Sequence, residues 1–185
     1  EEEIKKAKVY LKYEELFLFL FKIAYMKDEN ENIYKEEKNF DEKKVKNFIA
    51  SLPFTLTDSQ DEALKLILDD IKSNKKMNRL VLGDVGSGKT IISFISMYAN
   101  FLAGYQSVLM APTEVLARQH FESAISYFKD YHLTIDILVG SMTKKEKEAV
   151  KVRLASGEIN ILIGTHAIIE DAVSFYRLGL VITDE

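Results

Sequence analysis

Eight residues, Gly83-Asp84-Val85-Gly86-Ser87-Gly88-Lys89-Thr90, fit the pattern G-x-x-x-x-G-K-[ST]. The chemistry of such a pattern is phosphate binding. Gly83, Gly86 and Gly88 let the backbone come close enough for its N–H groups, those of Asp84 and Ser87 among them, to point at phosphate oxygens. The N-terminus of the helix that follows adds its partial positive charge. Lys89 is expected to reach the β- and γ-phosphates, and the Thr90 hydroxyl to serve Mg²⁺, which prefers hard oxygen ligands. A second pair of groups lies after the apolar run Leu180-Val181-Ile182-Thr183, which ends in Asp184-Glu185. Here Asp184 is expected to hold the Mg²⁺ shell while Glu185 orients and deprotonates an attacking water. Alone, an Asp-Glu pair is an ordinary solvated strand end; in a chain that also carries the phosphate loop it reads as hydrolytic.

These groups need elements to position them. Leu80-Val81-Leu82 is predicted to be a strand leading into the loop, and 90–102 the helix that leaves it. Upstream, Ala63, Leu64, Ile67, Leu68 and Ile71 recur at helical spacing behind Thr57 or Asp58 as N-cap, which predicts a helix over 58–73. Downstream, strands are expected over 107–111, 135–139, 159–163 and 180–183, with helices over 114–128 and 144–155 between them. Apolar strands without polar alternation, separated by helices, predict an α/β fold with a parallel sheet covered on both faces.

Composition narrows the rest. The chain has 185 residues, 47% hydrophobic and 29% charged, with a net charge of -4 and no cysteine. That excludes a polybasic binder of nucleic acid, disulfide frameworks, thiolate metal sites and cysteine nucleophiles. The apolar stretch 16–26 is interrupted by Lys22 and falls short of the roughly 20 residues a bilayer span needs. It is expected to be a helix, about 13–26, packed on most sides, with Phe17, Phe19, Phe21 and Tyr25 in its contact with the rest of the fold. Residues 28–47 shift to Asp, Glu, Asn and Lys and are expected to be a solvated connection into a short amphipathic helix. The domain division expected is a helical linker over 1–50 and the α/β lobe over 51–185. His120 and His132 lack metal-ligand spacing and read as structural histidines. Beginning at Glu1 and stopping just after an apolar run, the chain reads as an excerpt.

Taken together, the phosphate loop and Asp184-Glu185 with Phe54-Thr-Leu-Thr-Asp-Ser-Gln60, Ala111-Pro-Thr-Glu114, Ala117-Arg-Gln-His120, Gly140-Ser-Met142 and Gly164-Thr-His166 resemble the first motor lobe of superfamily 2 helicases. The resemblance covers about 52–185, and 8–20 is similar to the helical linker that precedes the motor in the branched-DNA members of that superfamily. It implies a RecA-like lobe that binds ATP with Mg²⁺ and couples hydrolysis to movement on branched or forked DNA in recombination and repair, in the cytoplasm and without a membrane. It also implies roles for single residues. Gln60 would read adenine, since an amide both donates and accepts. Pro112, Thr113, Gly140, Ser141, Thr165 and His166 would contact the DNA backbone, because hydroxyls and free amides after strands bind phosphate without reading bases. A second motor lobe of the same parent chain would supply arginines to the transition state; without it, nucleotide binding is expected to be weak and hydrolysis slow or absent. In such lobes the strand after the Asp-Glu pair inserts beside the phosphate-loop strand, so a sheet incomplete at its C-terminal end, with a gap there, is expected. The motor of a transcription-repair coupling factor, and a P-loop module without motor function, are the alternatives.

Overall fold

The computed structural model describes residues 2–31, 34–84, 86–169 and 173–184. Four strands, β1 (Gln106–Met110), β2 (Ile135–Leu138), β3 (Ile161–Gly164) and β4 (Leu178–Thr183), form one parallel sheet in the order β2-β3-β1-β4. Among the described residues six helices accompany them: α1 (Glu2–Glu31), α2 (Glu42–Ala50), α3 (Asp58–Lys72), α4 (Lys89–Leu102), α5 (Glu114–Phe128) and α6 (Lys144–Ala155). A short 3-10 turn, His166–Ile169, follows β3.

Alternate residues of each strand point to opposite faces, and both faces are covered. On one side Leu109, Ile161 and Ile163 pack with Ile91, Phe94 and Ile95 of α4 and with Ala117 and Ala124 of α5. On the other, Val108, Leu138 and Leu162 pack with Val150 and Leu154 of α6. The expected helices 58–73, 90–102, 114–128 and 144–155 are present to within a residue at each end. Local chemistry explains the boundaries: Thr57 and Thr143 each close a capping box, with Gln60 and Glu146 respectively.

Two expectations fail. Residues 80–82 do not form a strand; Leu80 and Leu82 are 80% and 83% exposed. A short apolar run becomes a strand only when a neighbour pairs with it. Here the segment is separated from β4 by a cleft of about 640 Å³ lined by Met77 to Gly83 on one side and Leu180 to Asp184 on the other. The gap expected in the sheet is therefore present, with β4 as the edge strand. The second failure is α1. It is a helix, but Phe17, Phe19 and Phe21 are 54%, 60% and 58% exposed and do not pack on the lobe. Tyr13, Phe17 and Phe21 instead stack on one another at i, i+4 spacing, with centroids 6.4 and 6.2 Å apart. The side chain of Tyr25 lies outside those described. No helix among the described residues is long and apolar enough to cross a membrane.

The solvated connection is pinned more firmly than its composition suggests. Lys38, 5% exposed, donates to Asn100 Oδ1 at 2.8 Å and to the Gly179 carbonyl at 2.6 Å, with its ammonium 4.4 Å from the centre of the Tyr105 ring. Burial, reinforced by the charges of Lys35 and Arg177, lowers its pKa to about 8. After it, α2 buries Val45 and Phe48 in the same core as α4, with the Phe48 ring against Tyr98, Phe128 and Tyr131.

Candidate nucleotide and DNA-backbone site

All four strands run the same way, and Met110, Leu138, Gly164 and Thr183 share a register, so the residues after them line one edge of the sheet. Along that edge stand Gly140-Ser141, then Thr165-His166, then Pro112-Thr113, then Asp184. Ligands of open parallel sheets bind at this carboxyl edge. Close packing of the strand ends demands glycine at one point: a Cβ on Gly164 would run into the Leu138 carbonyl oxygen.

The phosphate loop opens α4. Gly86 and Gly88 have φ of +80° and +79°, which side chains other than glycine rarely adopt, and Gly88 is the N-cap of the helix. A Cβ on Gly83 would stand 2.6 Å from Ser87 Oγ. The loop is closed by Ser87 N–H donating to the Asp84 carbonyl at 3.1 Å. Lys89 Nζ donates to the carbonyls of Gly83 at 2.7 Å and Asp84 at 2.9 Å, so its ammonium is held over the mouth of the loop. Val85 lies outside the described residues.

Gln60 is fixed at both ends of its amide. Its Oε1 accepts from Thr57 N–H at 2.9 Å and its Nε2 donates to the Ser87 carbonyl at 2.7 Å, tying the start of α3 to the phosphate loop. Beside it a cleft of about 720 Å³ is lined by Phe54, Thr57, Gln60, Gly86, Gly88 and Thr90, with Gln119 and His120 of α5 across from them. Gly83, Lys89 and Asp184 line the other cleft, between the 77–83 segment and β4. Asp184 is placed by its backbone N–H, which donates to the Met110 carbonyl at 2.8 Å. Its Oδ2 is 2.7 Å from His120 Nε2. Glu185 lies outside the described residues.

The donor set suits a nucleotide triphosphate with Mg²⁺. The glycine positions leave a cradle that side chains would fill, one cation stands at its mouth, and Thr90 and Asp184 offer a hydroxyl and a carboxylate, both hard oxygens. No group of three or more His, Asp or Glu among the described residues could hold a metal by itself. Mg²⁺ here would share its shell with phosphate oxygens and water.

Next to Asp184 along the edge, Pro112 and Thr113 are exposed. Thr113 Oγ1 caps α5 by accepting from Leu116 N–H at 3.3 Å. Glu114 reaches across to Ser141 and accepts from its hydroxyl and, at 3.4 Å, its N–H; Arg118 braces both, donating to Glu114 Oε1 at 2.7 Å and Ser141 Oγ at 3.3 Å. These bonds, that from the Ser141 hydroxyl above all, hold the Glu114 carboxyl below the usual range. The Gly140 carbonyl accepts from Lys147 Nζ at 2.9 Å. Thr165 begins the 3-10 turn, its carbonyl accepting from Ile168 N–H at 3.0 Å, and leaves His166 exposed.

Sequence reasoning missed two groups. Glu114 and Arg118, i and i+4 on α5, bring Ser141 beside Thr113, and their spacing alone marks them as an ion pair. His120, read as structural, touches the Asp184 carboxylate. The available signal was its place in the stripe Ala117, His120, Phe121, Ala124, Phe128, which faces inward.

Residues 57–185 match the DEAD/DEAH box helicase family, and the chain belongs to that family. Within it, the chain is 45% identical over all its 185 residues to the ATP-dependent DNA helicase RecG of Bacillus subtilis, 27% of whose length it covers. A structure of RecG bound to a three-way DNA junction superposes with a TM-score of 0.85 at 42% identity, over 94% of this chain and 24% of that one. A hypothetical ATP-dependent RNA helicase from Sulfolobus tokodaii shares the fold, with a TM-score of 0.60 at 22% identity over 78% of this chain and 41% of that one. The chain thus spans about a quarter of the length of the curated relatives it matches. Its parallel sheet flanked by helices is a RecA-like helicase lobe.

Proposed function

We propose that the chain is the ATP-binding first motor lobe of a RecG-like DNA helicase that couples ATP hydrolysis to movement on branched or forked DNA in recombination and repair. The observation carrying this reading is a phosphate loop whose Gly83 and Lys89 share a cleft with Asp184 at the end of β4, beside neighbouring strand ends that leave Thr113, Gly140, Ser141 and His166 exposed. Gly83, Asp84, Gly86, Ser87, Gly88, Lys89 and Thr90 bind the phosphates, and Gln60, at the adjoining cleft, exchanges its hold on the loop for the adenine edge. Lys89 shifts from the Gly83 and Asp84 carbonyls to the terminal phosphates, a gain because a charged oxygen accepts more strongly than a neutral one. Thr90 and Asp184 hold Mg²⁺, which when bound withdraws charge from the phosphate oxygens. Glu185, one residue beyond Asp184, orients and deprotonates the attacking water.

Pro112, Thr113, Gly140, Ser141, Thr165 and His166 hold the DNA backbone. Such contacts need no bulk positive charge, which reconciles DNA binding with a net charge of -4. Residues 1–50 form a linker segment whose second helix is docked on the lobe of residues 51–185 through Val45 and Phe48. A second motor lobe of the parent protein completes the nucleotide site with arginines. The protein acts in the cytoplasm, where ATP and chromosomal DNA meet.

The test is ATP hydrolysis by the full-length protein with and without forked DNA. Stimulation by the fork is expected, together with its loss in Lys89→Ala. Hydrolysis indifferent to DNA would favour a nucleotide-binding module without motor function.

A further inference from the structure

Asp184 is held from two sides. Its backbone is fixed by β1 through the Met110 carbonyl, and its carboxylate by α5 through His120. Among the described residues His120 is the one side chain hydrogen-bonded to that carboxylate, and its own side chain is only 12% exposed, against 33% for Asp184. The bond uses Oδ2, and Oδ1 has no hydrogen-bond partner among the described residues. A carboxylate free to rotate divides its time among orientations; one tethered through a single oxygen keeps the other in place. Ligating carboxylates are commonly oriented by hydrogen bonds of this kind, and losing the partner typically costs 10–100-fold in metal affinity.

We propose that His120 is a positioning residue for the metal site: its Nε2–H donates to Asp184 Oδ2 and so presents Oδ1 to the cation. This rests on the assignment of Asp184 to Mg²⁺.

The experiment titrates Mn²⁺, as a spectroscopic stand-in for Mg²⁺, into the full-length protein saturated with a non-hydrolysable ATP analogue, following free Mn²⁺ by electron paramagnetic resonance. Wild type, His120→Ala, His120→Gln and Asp184→Asn are compared, and nucleotide affinity in EDTA is measured for each. His120→Ala is expected to weaken Mn²⁺ binding about tenfold. His120→Gln, whose amide can still donate to Oδ2, should recover most of the loss. Recovery by glutamine separates a positioning bond from a packing role; equal losses in the alanine and glutamine variants would overturn the proposal. Wild-type affinity in His120→Ala alongside loss in Asp184→Asn would overturn it while leaving Asp184 as a ligand. Wild-type affinity in both would remove the metal assignment itself.

Discussion

Gly164 has the least room of the glycines at the sheet edge, since an added Cβ would meet backbone of the paired strand β2 and not a yielding side chain. Gly164→Ala is expected to destabilise the lobe by about 3 kcal/mol, the upper end of the usual overpacking penalty, measurable by urea denaturation. A similar loss at Gly140, where a Cβ would meet nothing within 4 Å, would contradict this account. Thr113 makes a different demand. If its hydroxyl faces a DNA phosphate, Thr113→Ala should weaken binding of the full-length protein to forks of any sequence by a similar factor, because phosphate contacts carry no sequence information. Fluorescence anisotropy with two unrelated fork sequences checks it; a loss confined to one would point to base contact. At this scale the left-handed turns of Gly86 and Gly88 and the place of Asp184 after its strand were legible in the sequence because glycine spacing and an apolar run are local signals. His120 was not, because its partner lies 64 residues away and only the fold brings them together.

Helix caps show how an element can be legible and still hide a function. Thr57 and Thr143 close equivalent capping boxes, and the polar residue three positions on advertises each. Losing either cap should cost about 1 kcal/mol. The two differ in what hangs from them: Gln60 also donates to Ser87 of the phosphate loop, whereas Glu146 belongs to α6 on the opposite face of the sheet. Thr57→Ala is therefore expected to weaken nucleotide binding as well as stability, and Thr143→Ala to lower stability alone, as read by thermal melting and nucleotide titration in parallel. The helices α3 to α6 were legible because three-and-four spacing and caps are local. The 80–82 segment and α1 were misread for the converse reason. Pairing of a short strand and burial of an apolar helix depend on what lies beside them, and nothing in Leu80-Val81-Leu82 or Phe17, Phe19 and Phe21 specifies a neighbour.

For the whole molecule, Lys38 ties residues before α2 to α4 and β4 through Asn100 and Gly179. Its folded-state pKa of about 8 lies below the ordinary 10.5, so the sign of its contribution follows. Below pH 8 both folded and unfolded chains carry the proton. Between about 8 and 10.5 the unfolded chain keeps it while the folded one has released it, so raising the pH favours folding. The stability of wild type relative to Lys38→Met should thus be flat from pH 6 to 7 and rise from 8 to 10; a fall across that window would contradict the burial of the ammonium. The fold class and the parallel sheet were legible at this scale from alternation of apolar strands with amphipathic helices. The strand order and the shared carboxyl edge, which bring the scattered motifs to one side of the sheet, were not. Nucleotide binding through the phosphate loop is tested most directly by titration of a fluorescent ATP analogue with Mg²⁺ against full-length wild type and Lys89→Ala. Loss of a charge-assisted contact to phosphate predicts affinity lower by about 10- to 100-fold in the variant. Equal affinity in the two proteins would contradict it.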